Sequence, residues 1–199
     1  METYSTKQIA IFNATLQLVE ERGFHGTPMS AVAEKAKVAT GTIYHYFKGK
    51  DQLLKELYAF CRHQLVEVTI EAAKEKNEYK EKFKSIWIAL YNFYINNSQI
   101  LIFFELYINS PFSKNKQNYK TEEDTTESSP LYNFINIGKD NGQLKNITTD
   151  ILLIQILSNC VAYAKLHLFT QHNLNVEDID IIVEMTWDAI SQSNKVENQ

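Results

Sequence analysis

TPMSAVAEKAKVATGTIYHYFKGKDQLL, residues 27–54, is the stretch on which the fold turns. Thr27-Pro28 reads as a helix N-cap followed by proline at the first helical position, where a missing N–H costs nothing. The short helix opened there runs to about Ala36. Beyond Lys37-Val38-Ala39, residues 40–47 (TGTIYHYF) are too few for an independent helix, yet enough for two turns pinned by Ile43 and Phe47 against earlier helices. Two short helices joined by a tight turn make a helix-turn-helix. Lys48-Gly49-Lys50-Asp51 then breaks the chain, and Leu54, Leu57, Cys61, Leu65 and Val68, spaced 3, 4, 4 and 3 apart, begin a long fourth helix that reaches about Lys76.

Upstream, Ile9, Phe12, Leu16 and Val19 step by 3, 4 and 3, one face of a first helix that Arg22-Gly23 closes with a basic residue and a glycine cap. Downstream, Phe83, Trp87, Leu90 and Tyr94 mark a fifth helix, and residues 100–109 a sixth that is apolar on nearly every face. Residues 112–129 hold a single Phe and a single Tyr and read as a loop between Pro111 and Pro130. A seventh helix is expected over 131–139, closed by Gly138 or Gly142; an eighth, capped by Thr149 or Asp150, over 151 to about 171; and a ninth over 176 to about 192, opening on Glu177, Asp178 and Asp180 as the positive end of a helix dipole prefers.

The composition agrees with an all-α chain. Of 199 residues, 44% are hydrophobic and 22% charged, enough for a folded core. Six glycines and three prolines are too few for the turns of a sandwich or barrel, and residues 51–137 hold no glycine at all. Residues 86–108 are apolar enough to raise a membrane question, but Asn96-Asn97-Ser98-Gln99 lies at their centre, so they read as two buried helices around a polar corner, with no membrane partner. Cys61 and Cys160 lie far apart, and the start METYSTK lacks an apolar segment, so buried free thiols and a cytoplasmic setting are expected. The net charge of −4 is uneven: residues 1–50 carry six bases against four acids, +2, and residues 51–199 carry 14 bases against 20 acids, −6. A mildly basic head precedes an acidic body.

The helix ending Glu21-Arg22-Gly23-Phe24, the small-residue helix with Val32-Ala33 and Lys35-Ala36, the Val38 turn, Gly41-Thr42-Ile43-Tyr44, the pair Tyr46-Phe47, and Lys50 before Leu53-Leu54 closely resemble the DNA-binding domain of the TetR family of bacterial transcription regulators. The resemblance covers about the first quarter of the chain and implies an N-terminal DNA-binding domain over 1–50 and a ligand-binding and dimerisation domain over 51–199. It implies that Thr40, Gly41, Thr42 and His45 face bases and that Tyr44, Tyr46, Lys48 and Lys50 face phosphates, with Ser30 at the groove edge and Thr27 offering its hydroxyl to a phosphate. The family usually has glycine where this chain has Lys37, a place where a left-handed backbone costs lysine about 1 kcal/mol. Either the turn is built differently or Lys37 bears the strain and adds a phosphate contact. The second helix holds no Lys or Arg, so base readout falls to short hydroxyls, His45 and close backbone approach at Gly41.

A head of +2 anchors weakly, and a homodimer doubles its contacts on a pseudo-palindromic double-stranded operator whose half-sites lie about 34 Å apart. The family pairs its last two helices, which nominates Leu157, Val161, Ile182, Met185, Thr186 and Ile190 as the interface. In the body, Phe60, Trp87, Tyr91, Phe104, Tyr107 and Phe134, with Asn159, Tyr163 and His167, supply the aromatic walls and few polar groups of a site for a small-molecule effector. The expected function is a repressor released by a small hydrophobic or aromatic effector, with an activator or a dimeric adaptor that has lost DNA binding as the alternatives. The five histidines lack metal-ligand spacing, and Gly-rich phosphate loops and a Gly-x-Ser-x-Gly elbow are absent, so neither cofactor, metal nor catalysis is expected.

Overall fold

Regular structure in the computed structural model, which describes residues 4–74, 76–114, 129–170 and 172–192, is entirely helical apart from one isolated bridge between Leu144 and Ser191. Ten helices lie among the described residues: α1 (Thr6–Arg22), α2 (Met29–Lys35), α3 (Thr40–Tyr46), α4 (Lys50–Lys74), α5 (Tyr79–Asn96), α6 (Ser98–Ile108), α7 (Pro111–Lys114), α8 (Pro130–Asp140), α9 (Thr149–Phe169) and α10 (Val176–Ile190). The all-α architecture and the three-helix head follow the sequence reading; α7 is an added turn. Most of the loop expected over 112–129 falls outside the described residues.

The chain forms two compact units. The first comprises residues 1–63 and 97–119, so α6 and α7 belong with the head helices. Ser5 and Gln8 cap α1 reciprocally, and α1 packs on both α2 and α6. Its centre is Ile11, Phe12, Ile43, Phe47 and Leu54, all fully buried. Phe12 meets Phe47 at 5.6 Å and Phe60 at 5.0 Å, and Tyr4 closes edge-on over Phe12 and Phe60 at 5.0 and 5.6 Å.

The second unit comprises residues 64–96 and 120–199. Here α9 packs against α5, α8 and α10, which accounts for a helix whose apolar residues run round its circumference. By length and composition alone α9 could cross a membrane. Trp87, Ile156, Cys160 and Ala164 are fully buried between these helices. One expected helix end moves, and of the two glycines expected to close α8 the structure takes Gly142. The N-cap of α9 is Thr148, because the Thr149 hydroxyl is engaged elsewhere: it donates to Asn136 Oδ1 at 2.7 Å and accepts from Lys139 Nζ at 3.0 Å. Gly138 lies inside α8 rather than at its end; a Cβ there would overlap the Tyr79 ring, and Gly142, at φ 68°, carries the chain away. Cys61 and Cys160 are free and buried, and burial pushes the Cys61 thiol up to about 12 and the Cys160 thiol further in the same direction.

A helix-turn-helix surface and an aromatic body

The turn between α2 and α3 is a Schellman motif built on lysine. Val38 N donates to the Ala33 carbonyl at 3.0 Å and Lys37 N to the Glu34 carbonyl at 3.1 Å, the pair of bonds that ends a helix around one left-handed residue. Lys37 is that residue, at φ 56°, and no other described non-glycine residue has a positive φ. Of the two alternatives open in the sequence, lysine bears the strain, and its exposed side chain projects from the turn. Lys35 ties α2 back to α1 through Glu21 at 2.5 Å.

Beyond this turn α3 is fixed from below and open above. Ile43 and Phe47 are fully buried, whereas Thr40, Gly41, His45 and Lys48 are exposed, Thr42 and Tyr46 half-buried, and Tyr44 54% exposed. Nothing lies within 4 Å of the point where a Gly41 Cβ would stand, so the start of α3 offers bare backbone. The His45 and Tyr46 rings meet edge-on at 5.3 Å. Ser30 is exposed on α2. The loop after α3 is held by Gln52, whose side chain accepts from Lys48 N at 2.8 Å and donates to Glu56 at 2.7 Å, a role with no motif to mark it in sequence.

Thr27 faces inward instead, and Lys50, half-buried, turns part of its ammonium to backbone. Thr27 is 1% exposed and its hydroxyl donates to the Gly23 carbonyl at 2.8 Å; Pro28, not Thr27, occupies the N-cap of α2. The threonine serves the turn after α1, where Gly23 sits at φ 64°, rather than offering its hydroxyl outward. Lys50 donates its ammonium to the Phe24 carbonyl, and burial holds its pKa below the ordinary lysine value. Phe24 in turn meets Phe103 of α6 edge-on at 6.0 Å and Phe112 of α7 at 5.5 Å. Lys50 is thus a strut between the start of α4 and the turn that opens α2.

The aromatic residues nominated as a ligand site fall into separate groups. In the first unit Phe60 belongs to the Phe12 core, while Phe104 and Tyr107 pack on Tyr58 at 5.4 and 4.8 Å. In the second, Phe134 stacks on Tyr79 at 4.3 Å and 3°, and Asn159 Oδ1 accepts from the Thr186 hydroxyl at 3.2 Å across α9 and α10. Trp87, Tyr91, Tyr163 and His167 do converge. Trp87 stacks on Tyr91 at 5.8 Å, Tyr163 lies 6.5 Å from Trp87, and the Tyr91 hydroxyl meets His167 Nδ1 at 2.8 Å.

Of the residues nominated for subunit contact, Ile182, Thr186 and Ile190 are buried within the chain's own packing, and Leu157 and Val161 are half-buried. Met185 is 60% exposed, and Ile151, Ile154 and Phe169 on α9 and Val176 and Ile181 on α10 are likewise more than half exposed. Helical spacing marks the apolar stripe of α10 but does not tell whether the chain itself or a second copy covers it. Among the described residues no three His, Cys, Asp or Glu side chains group as metal ligands.

A helix-turn-helix with an open, hydroxyl-bearing second helix, joined to a helical body with a buried aromatic cluster, defines a DNA-binding transcriptional regulator. The chain belongs to the tetR family of bacterial regulatory proteins: residues 11–57 match that family's profile and residues 78–191 match the tetracyclin repressor-like C-terminal domain. It is 28% identical over 183 residues, 92% of this chain and 94% of the relative, to an uncharacterized HTH-type transcriptional regulator of Haemophilus influenzae. The crystal structure of the TetR-family regulator HI0893 from Haemophilus influenzae superposes with a TM-score of 0.78 at 26% identity, covering 93% of this chain and 96% of that one. The transcriptional regulator FadR from Bacillus subtilis, in complex with stearoyl-CoA, shares the fold at a TM-score of 0.71 and 21% identity, covering 92% and 98%. These relatives are regulators, not enzymes.

Proposed function

We propose that the protein is a cytoplasmic, homodimeric repressor that holds a pseudo-palindromic operator and is released from it by a small apolar effector. The observation that carries this reading is the outer face of α3, where Thr40, Gly41 and His45 stand exposed over a buried Ile43 and Phe47. Thr40, Thr42, His45 and the bare backbone at Gly41 read base edges in the major groove. Ser30, Lys37, Tyr44, Tyr46 and Lys48 position the head on phosphates. Thr27 builds the head from within, and Lys50 divides its ammonium between the Phe24 carbonyl and the groove side.

Pairing is supported by Ile151 and Ile154 on α9 and Ile181 and Met185 on α10, four large apolar side chains that water would otherwise meet. Covering them with the same face of a second copy is an isologous contact of the kind that places two recognition helices on two half-sites. The effector's class is supported by the aromatic cluster of the second unit, and a long acyl chain, carried as a CoA thioester in the FadR complex, is the first candidate for its apolar part.

Selection of duplexes from a random pool, at low and high salt and with Lys48→Ala alongside the wild type, tests the reading. A palindromic site is expected, with weaker and less salt-dependent binding by the variant. Failure to enrich any sequence at either salt overturns it.

A further inference from the structure

Trp87 is the one described residue with a buried side-chain polar atom that lacks a hydrogen-bond partner, its indole Nε1, and the residue itself is fully buried. An indole N–H is a donor only, and left unpaired in the interior it bears the whole desolvation penalty, so few native structures keep one without a use. The ring's own surroundings do not supply an acceptor. Tyr91 lies nearly parallel to it, 13° apart at 5.8 Å, and so covers a face, whereas the N–H points out of the ring's edge. The Tyr91 hydroxyl meets His167 Nδ1 at 2.8 Å and makes no bond to the indole, and Cys160 approaches the Trp87 backbone carbonyl, not the ring. Among the described residues no lysine or arginine is a partner of Trp87, Tyr91 or His167.

A buried donor in an aromatic surround with no lysine or arginine beside it suits an uncharged oxygen acceptor on an apolar chain; a carboxylate would find no permanent cation there. We infer that the Trp87 indole N–H reads the acyl carbonyl oxygen of the effector, within a site walled by Tyr91, Tyr163 and His167. The inference rests on the effector-release reading above and adds to it the functional group that is recognised and the residue that recognises it. Discrimination follows from the same penalty: a ligand of equal size without the oxygen leaves the donor unpaired.

Two ligands that differ in that one atom provide the test: stearoyl-CoA and S-octadecyl-CoA, the thioether with the same chain and nucleotide but no carbonyl oxygen. On the full-length protein the thioester is expected to bind about tenfold more tightly and to release operator DNA at correspondingly lower concentration. In Trp87→Phe the preference collapses to about unity while the thioether's affinity is kept. Because a buried tryptophan can be needed for folding, a second readout leaves it intact. In Trp187→Phe, which retains Trp87 as the single indole, the 15N-1H indole signal is expected to move downfield with the thioester and not with the thioether. Equal binding of both ligands with a stationary indole signal overturns the inference, assigns the N–H to the Tyr163 ring face, and leaves the effector reading standing. Binding and release by neither ligand overturns the effector reading as well.

Discussion

The head and the body of this chain use the same materials, helices with buried aromatic residues, in opposite ways. In the head the aromatic residues Phe12, Phe47 and Phe60 are a closed core, and what acts is the polar skin of α3 above it. In the body the surface of α5 and α10 carries ion pairs, and the group available for recognition is an inward-facing donor on Trp87. A binding surface for a polyanion has to be exposed before its partner arrives, because phosphates are read from outside. A site for a small apolar molecule has to be dry, so its polar groups are few and hidden.

Two glycines give the sharpest break between the regions. Gly138 in α8 has the Tyr79 ring where a Cβ would stand and Leu144 Cδ1 2.9 Å away, and Tyr79 cannot swing aside without leaving its stack on Phe134 and its 2.9 Å bond to the Phe134 carbonyl. Gly138→Ala is expected to cost about 2–3 kcal/mol of overpacking, more than the ~1 kcal/mol alanine gains over glycine in a helix, with a matching fall in the urea midpoint. Gly41→Ala meets nothing within 4 Å, so the same melt should move little or slightly upward. Operator affinity should instead fall about tenfold, because a methyl then stands where backbone approaches the groove. Loss of stability in Gly41→Ala, or unchanged operator binding, would remove the distinction.

The two lysines after α3 sharpen it within the head. Lys48 is exposed, while Lys50 is half-buried with its ammonium on the Phe24 carbonyl. Lys48→Ala should lower the slope of log affinity against log salt by about 0.9 per phosphate lost in each subunit. Lys50→Ala should weaken binding with a smaller change of slope, while lowering the melting temperature. A slope change in Lys50→Ala equal to that in Lys48→Ala would make Lys50 as full a phosphate contact as Lys48.

The head was the more legible region because its signals are local. Thr40-Gly41-Thr42, the buried pair Ile43 and Phe47, and the glycine closing α1 each depend on neighbours within a few residues, and each stands in the structure where the spacing put it. What escaped reading there is long-range: Phe24 against α6 and α7, and the reach of Lys50 across 26 residues. In the body α9 is apolar all round, so no periodicity tells the side that meets α5 from the side left to solvent. On α10 the spacing shows that Ile182 and Ile190 share one apolar stripe with Val183 and Trp187 but not what covers it, and the subunit's own packing does; Phe134, likewise, is set by a distant partner, Tyr79, and not by Trp87.

Lys37 isolates the backbone term of the same contrast. Its φ of 56° is held by the two Schellman bonds, and a lysine in that conformation stores about 1 kcal/mol that glycine does not. Lys37→Gly should raise stability by up to about 1 kcal/mol, less whatever glycine adds to the freedom of the unfolded chain, whereas Lys37→Ala should not raise it. Both substitutions should reduce operator affinity alike if the exposed ammonium meets a phosphate. Equal stability of the two variants would mean that the turn bears no strain.

The smallest effect belongs to the surface of the body. Glu184 on α10 receives Lys80 at 2.7 Å and Lys84 at 2.5 Å from α5, and those two hydrogen bonds, Lys80's first, hold its carboxyl below the ordinary value of 4.5. A carboxylate with a depressed folded value contributes stability above its unfolded pKa and loses it as pH falls through the folded one. All three side chains are about a third exposed, so solvent screens most of the attraction, and Glu184→Gln should cost only about 0.5 kcal/mol at neutral pH. That difference should shrink as the pH drops below about 4.5 and as salt approaches 1 M, where screening reaches within about 3 Å. A cost that persists in acid and in salt would have to come from packing of the lysine stems, Lys80 lying 5.8 Å over the Trp187 ring, and not from charge.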